Sequence, residues 1–195
     1  MFRSDEMTIL ESPMDESTVR KLGLGQVVYI RGNIITGRDE MHLRALSSEK
    51  VPKELNGATL FHCGPIMSKK DGRWNVIAAG PTTSARMNSM EAEVIRRFGV
   101  RAIIGKGGMS DDVLKTMKEV GCVYLAAIGG AAVSLAEGLS ADIGAEWEDL
   151  GMAEAMWKFK ADRLGPLVVA MDAHGNSIYK NVDSEVKKFV RDLYS

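Results

Sequence analysis

Three times between residues 74 and 138 the chain runs from an apolar stretch into a glycine-bearing turn and then into a helical pattern. Residues 74–79 lead into Gly80-Pro81-Thr82-Thr83-Ser84-Ala85-Arg86-Met87, residues 101–104 into Gly105-Lys106-Gly107-Gly108, and residues 122–127 into Gly129-Gly130. Strands that alternate with helices pair in parallel, because the crossover helix carries the chain back to the starting edge. The expected fold class is therefore α/β with a central, largely parallel sheet. Ligands in such sheets sit at the carboxyl ends of the strands, and all three turns are expected there.

A first short strand is expected over 7–12 and a polar connector over 18–24. Residues 26–35 form a run rich in β-branched and aromatic residues, which predicts a strand. Asp39 is placed to cap a helix through residue 46, with His42 three positions on. Residues 58–63 predict another strand, and 68–73 a polar turn. Met87, Met90, Val94, Ile95 and Phe98 recur at helical spacing and predict a core-facing stripe. Asn88 and Glu91 fit a capping box, so the turn after Thr83 is expected to be irregular. Ser110 and two aspartates predict the start of a further helix. Alternation over 156–160 predicts a half-exposed strand, 167–179 a hairpin with a Gly-Asn turn, and 184–193 a helix with Val186, Phe189, Val190 and Leu193 on one face. Residues 1–195 are expected to form one domain with a β-rich second layer.

Charge removes several classes of partner. The 25 basic residues nearly cancel the 26 acidic ones, so electrostatics give no case for nucleic acid or an anionic membrane. No apolar run is long enough to span a membrane, and the first residues lack a signal peptide's pattern, so a cytoplasmic location is expected. The two cysteines, Cys63 and Cys122, lie far apart and outside any CxxC pattern, as buried free thiols do; they cannot alone ligate an iron–sulfur cluster. The three histidines show no metal-ligand spacing, and no metal site is expected in this chain.

Four groups recur at strand ends: Arg38 after Thr36-Gly37, Thr82 and Arg86 in the 80–87 stretch, and Lys106 between glycines. Thr82 and Arg86 are four apart, which a helical turn places on one side. The 80–87 stretch, read as a helix entry, is expected to offer free N–H groups to an anion. Three cations converging on a cleft in a chain of balanced charge point to a small dianionic or polyanionic ligand, which arginine can clamp through paired bonds. Neither glycine turn fits GxxxxGK[ST] or GxGxxG, which argues against a nucleotide.

Taken in order, Thr36-Gly37-Arg38-Asp39 with His42, Gly64-Pro65, Gly80-Pro81-Thr82-Thr83-Ser84-Ala85-Arg86-Met87, Gly105-Lys106-Gly107, and Glu146-Trp147-Glu148-Asp149-Leu150-Gly151-Met152 with Glu154, Ala155 and Trp157 resemble the β subunit, or C-terminal domain, of class I iron–sulfur fumarate hydratases. The L-tartrate dehydratase β subunit shares the pattern. The resemblance covers nearly the whole chain from about Thr18. It implies a swivelling β/β/α domain and a hydro-lyase that interconverts fumarate and (S)-malate. It further implies that Arg38, Arg86 and Lys106 bind the dicarboxylate, that Thr82 is the candidate base, and that Asp39, His42 and Thr83 support them. The [4Fe-4S] cluster is then carried by an α subunit, with which this chain forms an α2β2 heterotetramer and without which it is inactive; the isolated chain could instead pair with itself. The alternatives are the β subunit of L-tartrate dehydratase, a swivelling domain of another aconitase-like dehydratase, and a non-catalytic anion-binding domain.

Overall fold

The computed structural model describes residues 8–140 and 144–193. A first strand, β1 (Thr8–Ser12), and a one-turn helix, α1 (Glu16–Val19), precede the long strand β2 (Val27–Thr36). Then follow α2 (Asp39–Ser47), a 3-10 turn (Lys53–Leu55), β3 (Thr59–Phe61), and the hairpin β4 (Ile66–Lys70) and β5 (Arg73–Ala78). A second 3-10 turn (Ser84–Met87) runs directly into α3 (Asn88–Phe98). Next come β6 (Ala102–Gly105), α4 (Asp111–Val120), β7 (Val123–Ala126) and α5 (Ala132–Glu137). Two short strands, β8 (Leu139–Ser140) and β9 (Ala145–Glu146), precede a third 3-10 turn (Glu148–Leu150), the 16-residue strand β10 (Met156–Met171), and α6 (Ile178–Leu193).

The α/β class holds, but the sheet is mixed rather than largely parallel. β1, β2, β3, β6 and β7 pair in parallel in that order. β10 then runs antiparallel to β7 and also to β2, so the pairings β2-β3-β6-β7-β10-β2 close on themselves. The expected hairpin over 167–179 is replaced by this one long strand, followed by a single Met171–Ser177 bridge and then α6. Its length was hidden by Asp162, Arg163 and the Gly165-Pro166 pair, where the register against β2 shifts. The polar turn expected over 68–73 is narrower, since Lys69 pairs with Trp74 and Lys70 with Arg73 around Asp71-Gly72. β5 therefore belongs to a separate two-stranded sheet, not to the parallel one.

Alternation along the strands feeds two cores. Ala102 and Ile104 of β6, Val123 and Leu125 of β7, and Phe61 of β3 pack on one face with Phe159, Leu167 and Val169 of β10. Ile103, Tyr124 and Leu60 point the other way, against Met41, Val94, Ile95, Phe98 and Met117 of α2, α3 and α4. This is the period-two pattern of strands buried on both faces. The predicted stripe of α3 is confirmed at Val94, Ile95 and Phe98. Ser110 caps α4 as expected, its hydroxyl accepting from the Val113 amide. Among the described residues no helix is long and apolar enough to cross a membrane. The apolar residues of α6, Val182, Val186, Phe189, Val190 and Leu193, are exposed.

Candidate active site

The site is assembled where β2, β3 and β6 end. Gly37 donates its amide to Phe61 O, and His62 N donates to Ile104 O, which keeps the three strand ends in register. The 80–87 stretch arrives from the separate hairpin and is laid against these ends. Thr82 N donates to His62 O at 2.7 Å, Lys106 N to Thr82 O at 3.3 Å, and Ser84 N to Lys106 O at 3.1 Å. Thr83 and Lys106 thus form a parallel bridge, and Cys63 and Pro81 an antiparallel one.

These bonds correct two expectations. The amides of Thr82 and Ser84 are spent on carbonyls, so they are not free anion donors; the turn serves as an extra strand edge before it becomes helical. The helical part begins at Ser84 as a 3-10 turn, so Thr82 and Arg86 are not related by one α-helical turn. The irregular entry expected after Thr83 is present. The Asn88–Glu91 capping box is not: the residue before α3 makes no side-chain cap, Asn88 Oδ1 accepts from Ser110 N, and Glu91 is buried.

Arg38 stands at the N-terminus of α2, in extended backbone. Its side chain lies over Gly64, where an added Cβ would meet Arg38 Nη1 at 2.6 Å and Ala153 O at 2.9 Å. Only glycine leaves room for that approach. Arg38 Nε is 3.2 Å from Glu154 Oε1, and Glu154 Oε2 accepts from the Glu40 amide at 3.1 Å. Glu154, 114 residues further along, therefore does the work expected of Asp39: it satisfies an orphan amide of the first turn of α2 with an anion. It is brought there by Trp157, whose backbone amide donates to Thr36 Oγ1 and whose indole donates to Met152 O. Asp39 makes no cap; its Oδ2 is 2.7 Å from Arg86 Nη2.

Beneath these groups lies a fully buried polar set. Glu91 Oε2 is 2.9 Å from His42 Nε2 and 3.0 Å from His62 Nε2, and all three side chains are inaccessible to solvent. The His62 contact is too bent for a hydrogen bond and counts as electrostatic. His42 Nδ1 is 2.7 Å from Arg38 O, and His62 Nδ1 is 2.9 Å from Ser84 Oγ, which accepts from the Tyr124 hydroxyl at 2.9 Å. Burial alone would raise Glu91, but the two imidazoles hold its carboxyl well below the usual range. Burial alone would lower His42, yet the Glu91 charge and the bonds to Glu91 and Arg38 leave it raised. His62 is lowered, because burial and the His42 charge outweigh Glu91. Gly105 allows this packing: a Cβ there would meet Ser84 Oγ at 2.0 Å and Tyr124 OH at 2.9 Å.

The expected residues therefore divide. Thr82, Thr83 and Lys106 are joined by backbone pairing; Arg38, Asp39 and Arg86 are joined through α2 and one ion pair; His42 lies underneath. Among the described residues Lys106 has no ion-pair partner, and its side chain is exposed. Sequence reading missed Glu91, Glu154, Ser84 and Tyr124. Glu91 carried one signal: it lies four after Met87 and three before Val94, a charge on the apolar stripe of α3. The two thiols are buried in different cores. Burial pushes Cys63 up to about 12 against the pull of Arg38, and raises Cys122 as well. Neither suits a thiolate ligand. A cavity of about 260 Å³ lined by Asn33, Lys53, Glu54, Thr59 and Lys158 opens beside the start of β3.

Residues 3–182 match the Fumarase C-terminus family. A protein of Methanocaldococcus jannaschii named "Putative L(+)-tartrate dehydratase subunit beta" is 45% identical over 92% of this chain and 95% of its own length. The L(+)-tartrate dehydratase subunit beta of Escherichia coli K12 is 36% identical, over 87% of this chain and 85% of its own. "Putative fumarate hydratase class I" of Geobacillus stearothermophilus is 43% identical over 89% of this chain, which spans only 34% of that longer relative.

Proposed function

Since the chain belongs to the Fumarase C-terminus family, we propose that it is the β subunit of a two-subunit iron–sulfur hydro-lyase interconverting fumarate and (S)-malate. The observation that carries this reading is the joining of Thr82 to Lys106 by backbone pairing beside two arginines held by carboxylates. Residues 1–195 are read as one domain of the swivelling β/β/α type, in the cytoplasm, working with a fumarase-type α subunit in an α2β2 assembly.

Arg38 Nε lies 3.2 Å from Glu154 Oε1 and Arg86 Nη2 2.7 Å from Asp39 Oδ2, ion-pair contacts without hydrogen-bond geometry. A guanidinium has five donors, so each keeps N–H groups for a substrate carboxylate. Lys106, exposed and without an ion-pair partner among the described residues, adds a third cation. In the dehydration direction Thr82 Oγ1 takes the proton from the carbon beside the clamped carboxylate. The electron pair left behind forms the double bond as the hydroxyl departs from the neighbouring carbon, and the cations stabilise the charge that builds on the carboxylate. A threonine can act so only where cations favour its alkoxide, the part this reading gives to Arg38, Arg86 and Lys106. The [4Fe-4S] cluster, carried by the α subunit, supplies the Lewis acidity for the leaving hydroxyl. Cys63 and Cys122 are unsuited to hold it, so the duties of this chain are binding and proton transfer.

The relatives named as tartrate dehydratase β subunits, matched over 85–95% of their lengths, favour one further reading, in which the substrate is L-tartrate. Co-purification with an α subunit, followed by assays on fumarate, malate and tartrate, separates the two. Thr82→Ala is expected to leave assembly intact and turnover nearly abolished; an active variant removes Thr82 from the mechanism.

A further inference from the structure

Hydrogen-bond direction fixes the protons of the buried set. Arg38 O can only accept, so His42 Nδ1 carries a hydrogen. An ionised Glu91 can only accept, so His42 Nε2 carries one too, and His42 is an imidazolium. Placing that proton on Glu91 instead would give it to the weaker base. On the other side, Tyr124 donates to Ser84 Oγ, which leaves the Ser84 proton for His62 Nδ1. His62 then carries its own hydrogen on Nε2, facing Glu91. The charges cancel within the buried set: one carboxylate, one imidazolium, one neutral ring. This is the arrangement in which burial of a charge is tolerated.

The ends of this chain of contacts are not incidental. One end is the backbone carbonyl of Arg38. The other is the hydroxyl of Ser84, two residues after Thr82 and bonded through its own amide to Lys106 O. His42 is on α2, Glu91 on α3, and Tyr124 on β7, so the set connects three elements with the end of β3.

We propose that Glu91 is the positioning residue of the carboxylate site: its buried carboxylate holds His42 as an imidazolium and His62 as the Nε2–H tautomer, and through them fixes the Arg38 carbonyl and the Ser84 hydroxyl, the anchor points of the two segments that carry Arg38 and Thr82. The role in turnover rests on the hydro-lyase reading above; the protonation pattern does not. The ionisable groups facing the set are Asp39 towards His42 and His62, and Cys122 and Tyr124 towards Glu91.

The same three side chains offer donors within 4.8 Å of one another, a spacing a metal could use. Two observations favour the proton arrangement. Both imidazoles converge on one carboxylate oxygen at hydrogen-bond length, and both outer ring nitrogens are already engaged, His42 Nδ1 by Arg38 O and His62 Nδ1 by Ser84 Oγ.

The test combines nitrogen-15 spectra of the histidine side chains in the full-length protein with kinetics of its complex with the α subunit. In the wild type, His42 is expected doubly protonated at pH 7 and His62 neutral with its hydrogen on Nε2. In Glu91→Gln, His42 is expected to lose its second proton at that pH. The kcat is expected to fall by about 10²-fold, the scale of a small misplacement, with KM changed far less, and Glu91→Asp to restore part of it. A neutral His42 in the wild type, wild-type kcat in Glu91→Gln, or one equivalent of tightly held metal lost on that substitution would each overturn the proposal. Where Glu91→Gln does not fold, Ser84→Ala leaves the Glu91–His42 pair intact. It is expected to shift the His62 Nδ1 resonance, leave His42 unchanged and lower kcat; unchanged kcat and spectrum would overturn the assignment. A wild-type complex inactive on every dicarboxylate would sink the hydro-lyase reading alone, and the histidine spectra would still decide the protonation pattern.

Discussion

Arg86 Nη2 lies 2.7 Å from Asp39 Oδ2, so the segment bearing Thr82 is tied to the first turn of α2 at the surface. The arginine is about half exposed, so solvent screens its side of the pair, and although Asp39 Oδ2 is buried the contact lacks hydrogen-bond geometry; such pairs contribute little to stability. Asp39→Asn is therefore expected to leave the unfolding midpoint nearly unchanged while freeing Arg86 to move. Steady-state kinetics of the complex should show KM raised by about tenfold, the equivalent of ~1.4 kcal/mol of binding.

Lys106→Met separates binding from folding in the same way. The side chain is exposed, and among the described residues it has no ion-pair partner. Urea unfolding should change by less than about 0.5 kcal/mol, whereas kcat/KM for a dicarboxylate should drop by ~10²-fold or more if Lys106 stabilises developing charge. Equal kcat/KM for the two proteins would remove Lys106 from the clamp.

Gly105→Ala is expected to behave in the opposite manner. Its Cβ would overlap Ser84 Oγ at 2.0 Å inside the core, where nothing can yield cheaply. A cost of about 1–3 kcal/mol follows from overpacking, measurable as a lower urea midpoint, together with loss of turnover because Ser84 must move.

The buried set also shapes stability against pH. Glu91 is depressed, so its contribution is full above about the ordinary carboxyl value of 4.5 and is lost as pH falls. His62 is lowered, so its contribution is lost as pH falls below 6.5. His42 is raised, so its contribution is full below 6.5 and is lost as pH rises through its folded value. Unfolding free energy should therefore peak near neutrality and decline on both sides, and His42→Asn should flatten the alkaline limb. Urea titrations at a series of pH values check this.

Cys63 and Cys122 should resist alkylation in the native protein near neutral pH, because burial raises both thiols, Cys63 to about 12. Mass spectrometry after iodoacetamide should find them unmodified until denaturant is added.

Much of the framework was legible because strands buried on both faces leave unbroken apolar runs, as at Ile103-Ile104 and Val123-Tyr124-Leu125. The strand-end positions of Arg38 and Lys106 were legible because glycine-bearing turns mark where such strands stop. What the sequence hid was contact at long range. The 80–87 stretch reads as the continuation of its own strand, yet that strand belongs to a hairpin, and the stretch pairs instead with His62 and Lys106. Glu91 reads as a capping partner three residues after Asn88, yet its partners lie 49 and 29 residues back along the chain, beyond any local periodicity. Asp39 reads as a cap, but Glu154 reaches the helix end first and leaves Asp39 to Arg86.

The Glu91–His42 contact joins α3 to α2, and both helices rest on the same face of the sheet. Docking of those helices and placement of the segments that carry Arg38 and Thr82 are consequently one event. On the proposed reading, a lineage could not loosen this core to gain tolerance for substitutions without blurring the clamp, nor retune the clamp from beneath without testing the core. Variation in substrate preference should therefore enter from the rim, at residues such as Thr83 and Lys106, while the residues under Arg38 stay nearly silent to selection for a new substrate.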